Sequence, residues 1–198
     1  MTTDFKVRIH KSPFLLILDR DGTVIEDKGY LSDPAGVELE LGATEGLRAM
    51  LEAGAIPVVI TNQSGVARGY FSRAAVDAIH DRLDELLARQ GLAIKAYLVC
   101  PHGLDEGCEC RKPGAALALR AAAETGLPLS DAYVIGDKLS DIGLAAVIGA
   151  TGILVRTGEG HRHAGEAARR GFAVASDLAE AARLVIAARD ARSDQCEN

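Results

Sequence analysis

The stretch that most constrains this chain is Phe14-Leu15-Leu16-Ile17-Leu18-Asp19-Arg20-Asp21-Gly22-Thr23. A short apolar run closed by a turn signal reads as a buried strand. Asp19 and Asp21 then fall at its carboxyl end, where open parallel sheets keep their ligand crevices. An ordinary Asp-Gly turn would account for Asp21 and Gly22. It would leave Asp19, which ends the strand, without a reason to be there.

The rest of the chain repeats this strand-then-helix rhythm. Residues 1–13 read as a mobile start, and Val24 to Leu41, with Gly29, Asp33-Pro34 and Gly36, as a flap or hairpin beside the carboxylates. Thr44 is placed to cap a helix carrying Leu47, Met50 and Leu51, which Gly54 stops. Ile56 to Ile60 is a second strand, running into Thr61-Asn62-Gln63-Ser64-Gly65. Its Pro57 is tolerable only near the strand's start. Ser72 caps a longer helix whose Val76, Ile79, Leu83, Leu86 and Leu87 share one face. Ala96 to Val99 is a third strand, followed by a cysteine cluster and Arg111-Lys112-Pro113-Gly114. An Ala-rich helix to Thr125 leads to a fourth strand, Ala132 to Ile135, which ends in Gly136-Asp137-Lys138. A further helix ends near Gly149. Two short strands, Ile153 to Val155 and Phe172 to Ala175, precede a last helix capped by Ser176 and ending near Ala188. The polar tail Arg189 to Asn198 reads as frayed.

Such alternation predicts one α/β domain over residues 1–198: a Rossmann-like parallel sheet of about six strands with helices on both faces. Right-handed crossovers set the hand of each unit. With the first strand central, the strands ending in Asp19, Thr61 and Asp137 converge on one crevice.

Composition excludes several classes of function. The formal charge is −6 and there is no basic tract, which argues against nucleic acid as a partner. No run of about 20 apolar residues is present to span a membrane, and the start lacks the pattern of a signal peptide. A cytoplasmic monomer is the expectation. In a reducing compartment, clustered cysteines favour a metal over disulfides.

The converging residues suit one chemistry. Carboxylates at Asp19, Asp21, Asp137 and Asp141 repel one another unless a hard cation joins them, and oxygen ligands select Mg²⁺. Lys112 and the Thr61 hydroxyl beside such an ion suit a phosphoryl group. Two unit charges at 4 Å repel by about 4 kcal/mol at an effective dielectric near 20. Mg²⁺ and Lys112 would offset this for an anion approaching Asp19. Asp19 then reads as a nucleophile and Asp21 as the acid and base.

Asp19-Arg20-Asp21-Gly22-Thr23, Thr61-Asn62-Gln63-Ser64, Arg111-Lys112-Pro113 and Gly136-Asp137-Lys138-Leu139-Ser140-Asp141 resemble the four motifs of haloacid dehalogenase-type phosphatases. The set is similar to one branch in particular, the D-glycero-D-manno-heptose 1,7-bisphosphate 7-phosphatases and the related histidinol-phosphate phosphatases. The resemblance spans roughly residues 14 to 160. It implies an Asp19 nucleophile, an Asp21 proton donor, and Mg²⁺ held by Asp19, the Asp21 backbone carbonyl and Asp137. It implies that Thr61 and Lys112 steady the phosphoryl group and that Arg111 recognises substrate. Arg20, Asp27, Lys28, Gly29, Tyr30, Asn62, Gln63, Ser64 and Lys138 would line the substrate site. Neither interval between motifs is long enough for a large inserted cap, so a capless enzyme is expected.

Cys100, His102, Cys108 and Cys110 form a second signal. Four such ligands suit a closed, tetrahedral, structural Zn²⁺, which would staple the loop that delivers Arg111 and Lys112. His10, His80, His161 and His163 have no ligand spacing with a partner. For substrate, Ser64 and the run to Gly69 resemble the heptose group. The short loop between His102 and Cys108 looks more like the histidinol group. A non-catalytic phosphate-binding protein on the same fold is the alternative of another class, and a polynucleotide end phosphatase is disfavoured by the acidic balance.

Overall fold

The computed structural model describes residues 12–196, the last three by backbone alone. Six strands form one parallel sheet: β1 (Phe14–Leu18), β2 (Ala55–Asn62), β3 (Ala96–Cys100), β4 (Tyr133–Gly136), β5 (Thr151–Val155) and β6 (Ala173–Ala175). Their order across the sheet is β3-β2-β1-β4-β5-β6. The chain walks outward from β1 to β3, then returns to β1's other side with β4. The β1/β4 boundary is therefore a topological switch point, where crossover helices leave on opposite faces and a crevice opens at the strands' carboxyl ends.

Alternation along β1 sorts the core into two layers. Phe14, Leu16 and Leu18 pack on α1 (Ala43–Glu52), α2 (Arg73–Ala88) and α6 (Leu178–Cys196). Leu15 and Ile17 pack on α3 (Ala116–Thr125) and α4 (Leu139–Ile148). Every residue of β1 is buried, as a strand covered on both faces must be. Pro57 is the third residue of β2 and tolerable there, because β3 pairs only from Val58 onward.

The helix ends bring corrections. Ser72 does cap α2, accepting from Ala75 N at 3.2 Å. Thr44 does not cap α1: it lies inside the helix, and Gly42 holds the N-cap with φ 77°. At α6 the cap is Asp177, whose Oδ1 accepts from Glu180 N at 2.8 Å, rather than Ser176. Glu180 returns the favour by accepting from Ser176 N at 2.6 Å. A further helix, α5 (Gly160–Arg169), lies between β5 and β6 where the reading above has none. The tail expected to fray from Arg189 continues as helix to Cys196. Arg189 and Arg192 both reach Asp131 at 2.9 Å, and the Arg189 guanidinium also lies 4.0 Å from the Phe14 ring centroid. Residues 1–11, with His10, and residues 197–198 lie outside the described residues.

Candidate active site

The carboxyl ends of β1, β2 and β4 and the N-terminus of α4 open onto a cavity of about 340 Å³. Asp19, Asp21, Asp27, Gly29, Tyr30, Thr61, Asn62, Gln63, Ser64, Arg111, Lys112 and Lys138 all line it, as expected. Three residues expected at this site do not: Arg20, Lys28 and Asp137, the last fully buried beside Asp19 and Asp141. Arg20 is 1% exposed and turned away from the cavity. Its Nε and Nη2 grip the Asp21 carboxylate at 3.1 and 3.0 Å, and its Nη1 meets His80 Nε2 at 3.3 Å. Lys28 points outward to Glu38 and Glu26.

Lys112 is the buried cation of the site. Its Nζ donates to Asp19 Oδ1 at 2.6 Å and to the Ile60 carbonyl at 2.6 Å, and pairs with Asp141 Oδ1 at 2.7 Å. Burial alone would depress its pKa, but the charges of Asp141 and Asp19 outweigh that and the net shift is upward. Asn62 fixes its backbone from both sides: Lys112 N donates to Asn62 Oδ1 at 3.0 Å, and Asn62 Nδ2 donates to Lys112 O at 3.2 Å. Gln63 Nε2 donates to both Asp21 Oδ2, at 2.9 Å, and Thr61 Oγ1, at 2.8 Å. With its oxygen accepting from Gln63, Thr61 keeps its own hydrogen to offer an anion. Lys138 Nζ reaches Asp27 Oδ2 at 3.1 Å, tying the flap to the start of α4.

Carboxylate oxygens of Asp19, Asp137 and Asp141 lie within 4.8 Å of one another, all buried. Gly22, at φ 80°, and Gly158 press against Asp137 so closely that a Cβ on either would collide with its carboxylate. Asp137 Oδ2 accepts from Glu159 N at 2.8 Å, while Oδ1 is buried with no hydrogen-bond partner. A buried carboxylate oxygen without a donor, next to two more carboxylates, fits a hard divalent cation. Burial, reinforced by Asp19, pushes the Asp137 pKa up to about 8. Burial also raises Asp141 against the opposing pull of Lys112, and Asp21 against that of Arg20.

The Asp137 shift makes a prediction for the metal-free protein. A folded pKa near 8 against an ordinary value of 3.8 gives stability that is full below about pH 4 and lost as pH rises through about 8. Metal-free protein is therefore expected to melt at progressively lower temperature from pH 5 to pH 8. Added Mg²⁺ should raise the Tm more at pH 8 than at pH 5, because it binds the ionised form. A metal-free Tm that climbs over this window would contradict the reading.

The cysteine cluster assembles as expected. Cys100 Sγ lies 3.7 Å from both Cys108 Sγ and His102 Nδ1, and His102 Nδ1 lies 3.1 Å from Cys110 Sγ. Zinc–sulfur bonds of about 2.3 Å in a tetrahedron put ligands about 3.8 Å apart, so the four residues fit that ion. Arg111 Nη1 donates to His102 O at 3.3 Å, which couples the loop to the cavity wall.

Gly65, Ser140 and Glu159 also line the cavity without having been assigned to it, and Asp141, grouped with the converging carboxylates but given no individual role, lines it too. Asp141 carries a usable signal, standing four residues after Asp137 on the first turn of α4. Glu159 contributes a backbone N–H to Asp137, which no side-chain pattern announces.

A parallel sheet with paired aspartates at the tip of its first strand, a buried lysine and a further aspartate just past its fourth strand defines a haloacid dehalogenase-type hydrolase. Residues 109–181 match the family described as HAD-hyrolase-like. The D-glycero-beta-D-manno-heptose-1,7-bisphosphate 7-phosphatase of Pseudomonas aeruginosa is 36% identical over 173 residues, 87% of this chain and 97% of the relative. Its namesake in Escherichia coli K12 is 35% identical over 158 residues, 75% of this chain and 82% of the relative. The crystal structure of D,D-heptose 1,7-bisphosphate phosphatase from Bordetella bronchiseptica, complexed with magnesium and phosphate, superposes with a TM-score of 0.81. It is 35% identical and covers 87% of this chain and 98% of that one. The chain belongs to the D-glycero-β-D-manno-heptose-1,7-bisphosphate 7-phosphatase family of HAD-like hydrolases.

Proposed function

We propose that the protein hydrolyses the 7-phosphate of D-glycero-β-D-manno-heptose 1,7-bisphosphate through an aspartyl-phosphate on Asp19. The observation that carries this is Asp19 held by Lys112 at 2.6 Å beside Asp21, in a chain more than a third identical to enzymes so named. Asp19 attacks phosphorus and the 7-oxygen leaves as an alkoxide, which Asp21 protonates. Asp21 then takes a proton from water, which attacks the acyl phosphate and frees Asp19 and inorganic phosphate. Lys112 and the Thr61 hydroxyl hold the equatorial oxygens as their charge grows. Asp19, Asp137 and the Asp21 backbone carbonyl would hold Mg²⁺, with Asp141 close by. When bound, it supplies positive charge against the phosphoryl oxygens. Arg111, with its planar fork, faces the part of the substrate beyond the reacting phosphate and suits the second phosphate. We also read the chain as one domain. The free thiols of Cys100, Cys108 and Cys110 suit a reducing cytoplasm.

The test is kcat/KM on the heptose bisphosphate against histidinol phosphate. The bisphosphate is expected to win by at least tenfold. Arg111→Ala should cut efficiency on it far more than on a small phosphomonoester. A higher kcat/KM for histidinol phosphate would make the enzyme a histidinol-phosphate phosphatase, and no Mg²⁺-dependent turnover of either would leave a phosphate-binding protein.

For the cluster we propose one structural Zn²⁺ per chain, held by Cys100, His102, Cys108 and Cys110. Cys108→Ser is expected to lower the zinc content and reduce activity by tenfold or more, because Arg111 and Lys112 follow directly on Cys110. Metal analysis of protein purified without chelators checks it. Fully active protein with no zinc would refute it.

A further inference from the structure

Behind Asp21, away from the cavity, lies a second set of contacts that the reaction as described does not use. Arg20 spends all three guanidinium nitrogens: Nε and Nη2 on Asp21, Nη1 on His80 Nε2. A guanidinium only donates, so Nε2 of His80 must be the acceptor, with the ring proton on Nδ1. His80 sits on the inner face of α2, 5% exposed. Its ring stacks on Tyr97 of β3, centroids 4.3 Å apart and planes 11° apart. Tyr97 is pinned in turn, its hydroxyl donating to Asp84 of α2 at 2.6 Å.

We propose that His80 is a positioning residue for phosphoryl transfer. Its neutral imidazole takes the third arm of Arg20, and so fixes the fork that aims the Asp21 carboxylate at the leaving group. The proposal rests on the reading of Asp21 as proton donor. Its weight comes from counting lone pairs on Asp21. Oδ2 accepts from Arg20 Nε and from Gln63 Nε2, and Oδ1 accepts from Arg20 Nη2. A carboxylate has about four acceptor sites, so one remains, on Oδ1, for the proton that is given and taken. Rotating the guanidinium would move that site. A two-point fork hinged on one flexible side chain resists rotation only if its far nitrogen is also held, and His80 holds it. Burial, with Arg20 beside it, lowers the His80 pKa to about 3, so the ring stays an acceptor across the working range.

The test separates aiming from packing by the leaving group. An alkyl phosphate needs its leaving oxygen protonated in the first step; p-nitrophenyl phosphate does not. kcat/KM reports only steps up to formation of the phosphoenzyme when that step is irreversible. His80→Phe keeps a ring against Tyr97 and removes the acceptor. It is expected to lower kcat/KM on heptose 1,7-bisphosphate at least tenfold while changing it less than threefold on p-nitrophenyl phosphate. His80→Gln, which restores an acceptor, should recover most of the loss. Where His80→Phe does not yield folded protein, His80→Leu is read in the same way. Equal losses on both esters, or no loss on either in folded protein, would overturn the proposal. Asp21→Asn is run alongside. If it shows no selectivity between the esters, the reading of Asp21 as proton donor has failed, and the proposal falls with it for that separate reason.

Discussion

Asp19→Asn is expected to lose turnover by on the order of 10⁴-fold or more, the scale on which loss of a covalent nucleophile is felt in hydrolases. The amide keeps the size and shape of the side chain and discards the attacking charge. The fold should survive for a reason visible in the site. Lys112 loses one anionic partner but retains Asp141 at 2.7 Å and the Ile60 carbonyl at 2.6 Å. At the same time Asp137, whose carboxyl oxygens lie within 4.8 Å of those of Asp19, loses a repelling neighbour. These changes oppose each other, so the Tm of the variant should stay within a few degrees of wild type. Circular dichroism melting, steady-state turnover and trapping of an alkali-labile phosphoenzyme together check the prediction. Turnover near wild type in folded Asp19→Asn would remove the acyl-phosphate mechanism.

The parts of this site that could be read from the chain are those where the chemistry sits at the end of a local pattern. Apolar runs of β1, β2 and β4 stop at Asp19, Thr61 and Asp137, and a parallel sheet brings such ends together whatever the details of the loops. The cysteine–histidine cluster is legible because all four residues lie between positions 100 and 110, so local chain geometry alone assembles it. The misses have equally physical causes. Arg20 was placed with the substrate because it stands between two site residues. Side chains alternate along extended backbone, and the alternation that sends Asp19 and Asp21 into the cavity sends Arg20 behind it. Helix α5 buries only Gly160, Ala164 and Ala167, a face with no large apolar residue to mark its period. The end of α6 is held by Arg189 and Arg192 on Asp131, partners about sixty positions apart, so nothing local announces that this polar segment is anchored. His80 shows no local partner in the sequence because Arg20, which it meets at 3.3 Å, is equally remote.

The larger structural effect is expected at Lys112. Lys112→Met keeps the length and apolar stem of the side chain and removes the only cation in direct contact, among the described residues, with Asp19 and Asp141. Breaking a buried ion pair from one side costs about 3–5 kcal/mol, because the remaining charge is left unpaired in a poor solvent. For a chain of this size that is a fall in Tm on the order of 10 °C. The loss should depend on pH in a defined direction. Burial and the charge of Asp19 push the Asp137 pKa up to about 8, so at pH 5 its carboxyl is protonated and the cluster tolerates the missing cation. Near pH 8 Asp137 begins to ionise, and the variant should be destabilised most there. Mg²⁺ should return part of that stability, since it supplies charge to the same carboxylates. It should not return activity, because the hydrogen bond from Nζ to Asp19 and the contact proposed for it with the phosphoryl oxygens have no replacement. Turnover is expected to fall by roughly three orders of magnitude, as when a fixed donor to a developing oxyanion is removed. Thermal melts at pH 5 and pH 8, with and without Mg²⁺, give four numbers that must fall in this order. A Lys112→Met protein that melts like wild type at pH 8 without metal would show that the three carboxylates do not depend on Lys112 for their charge balance.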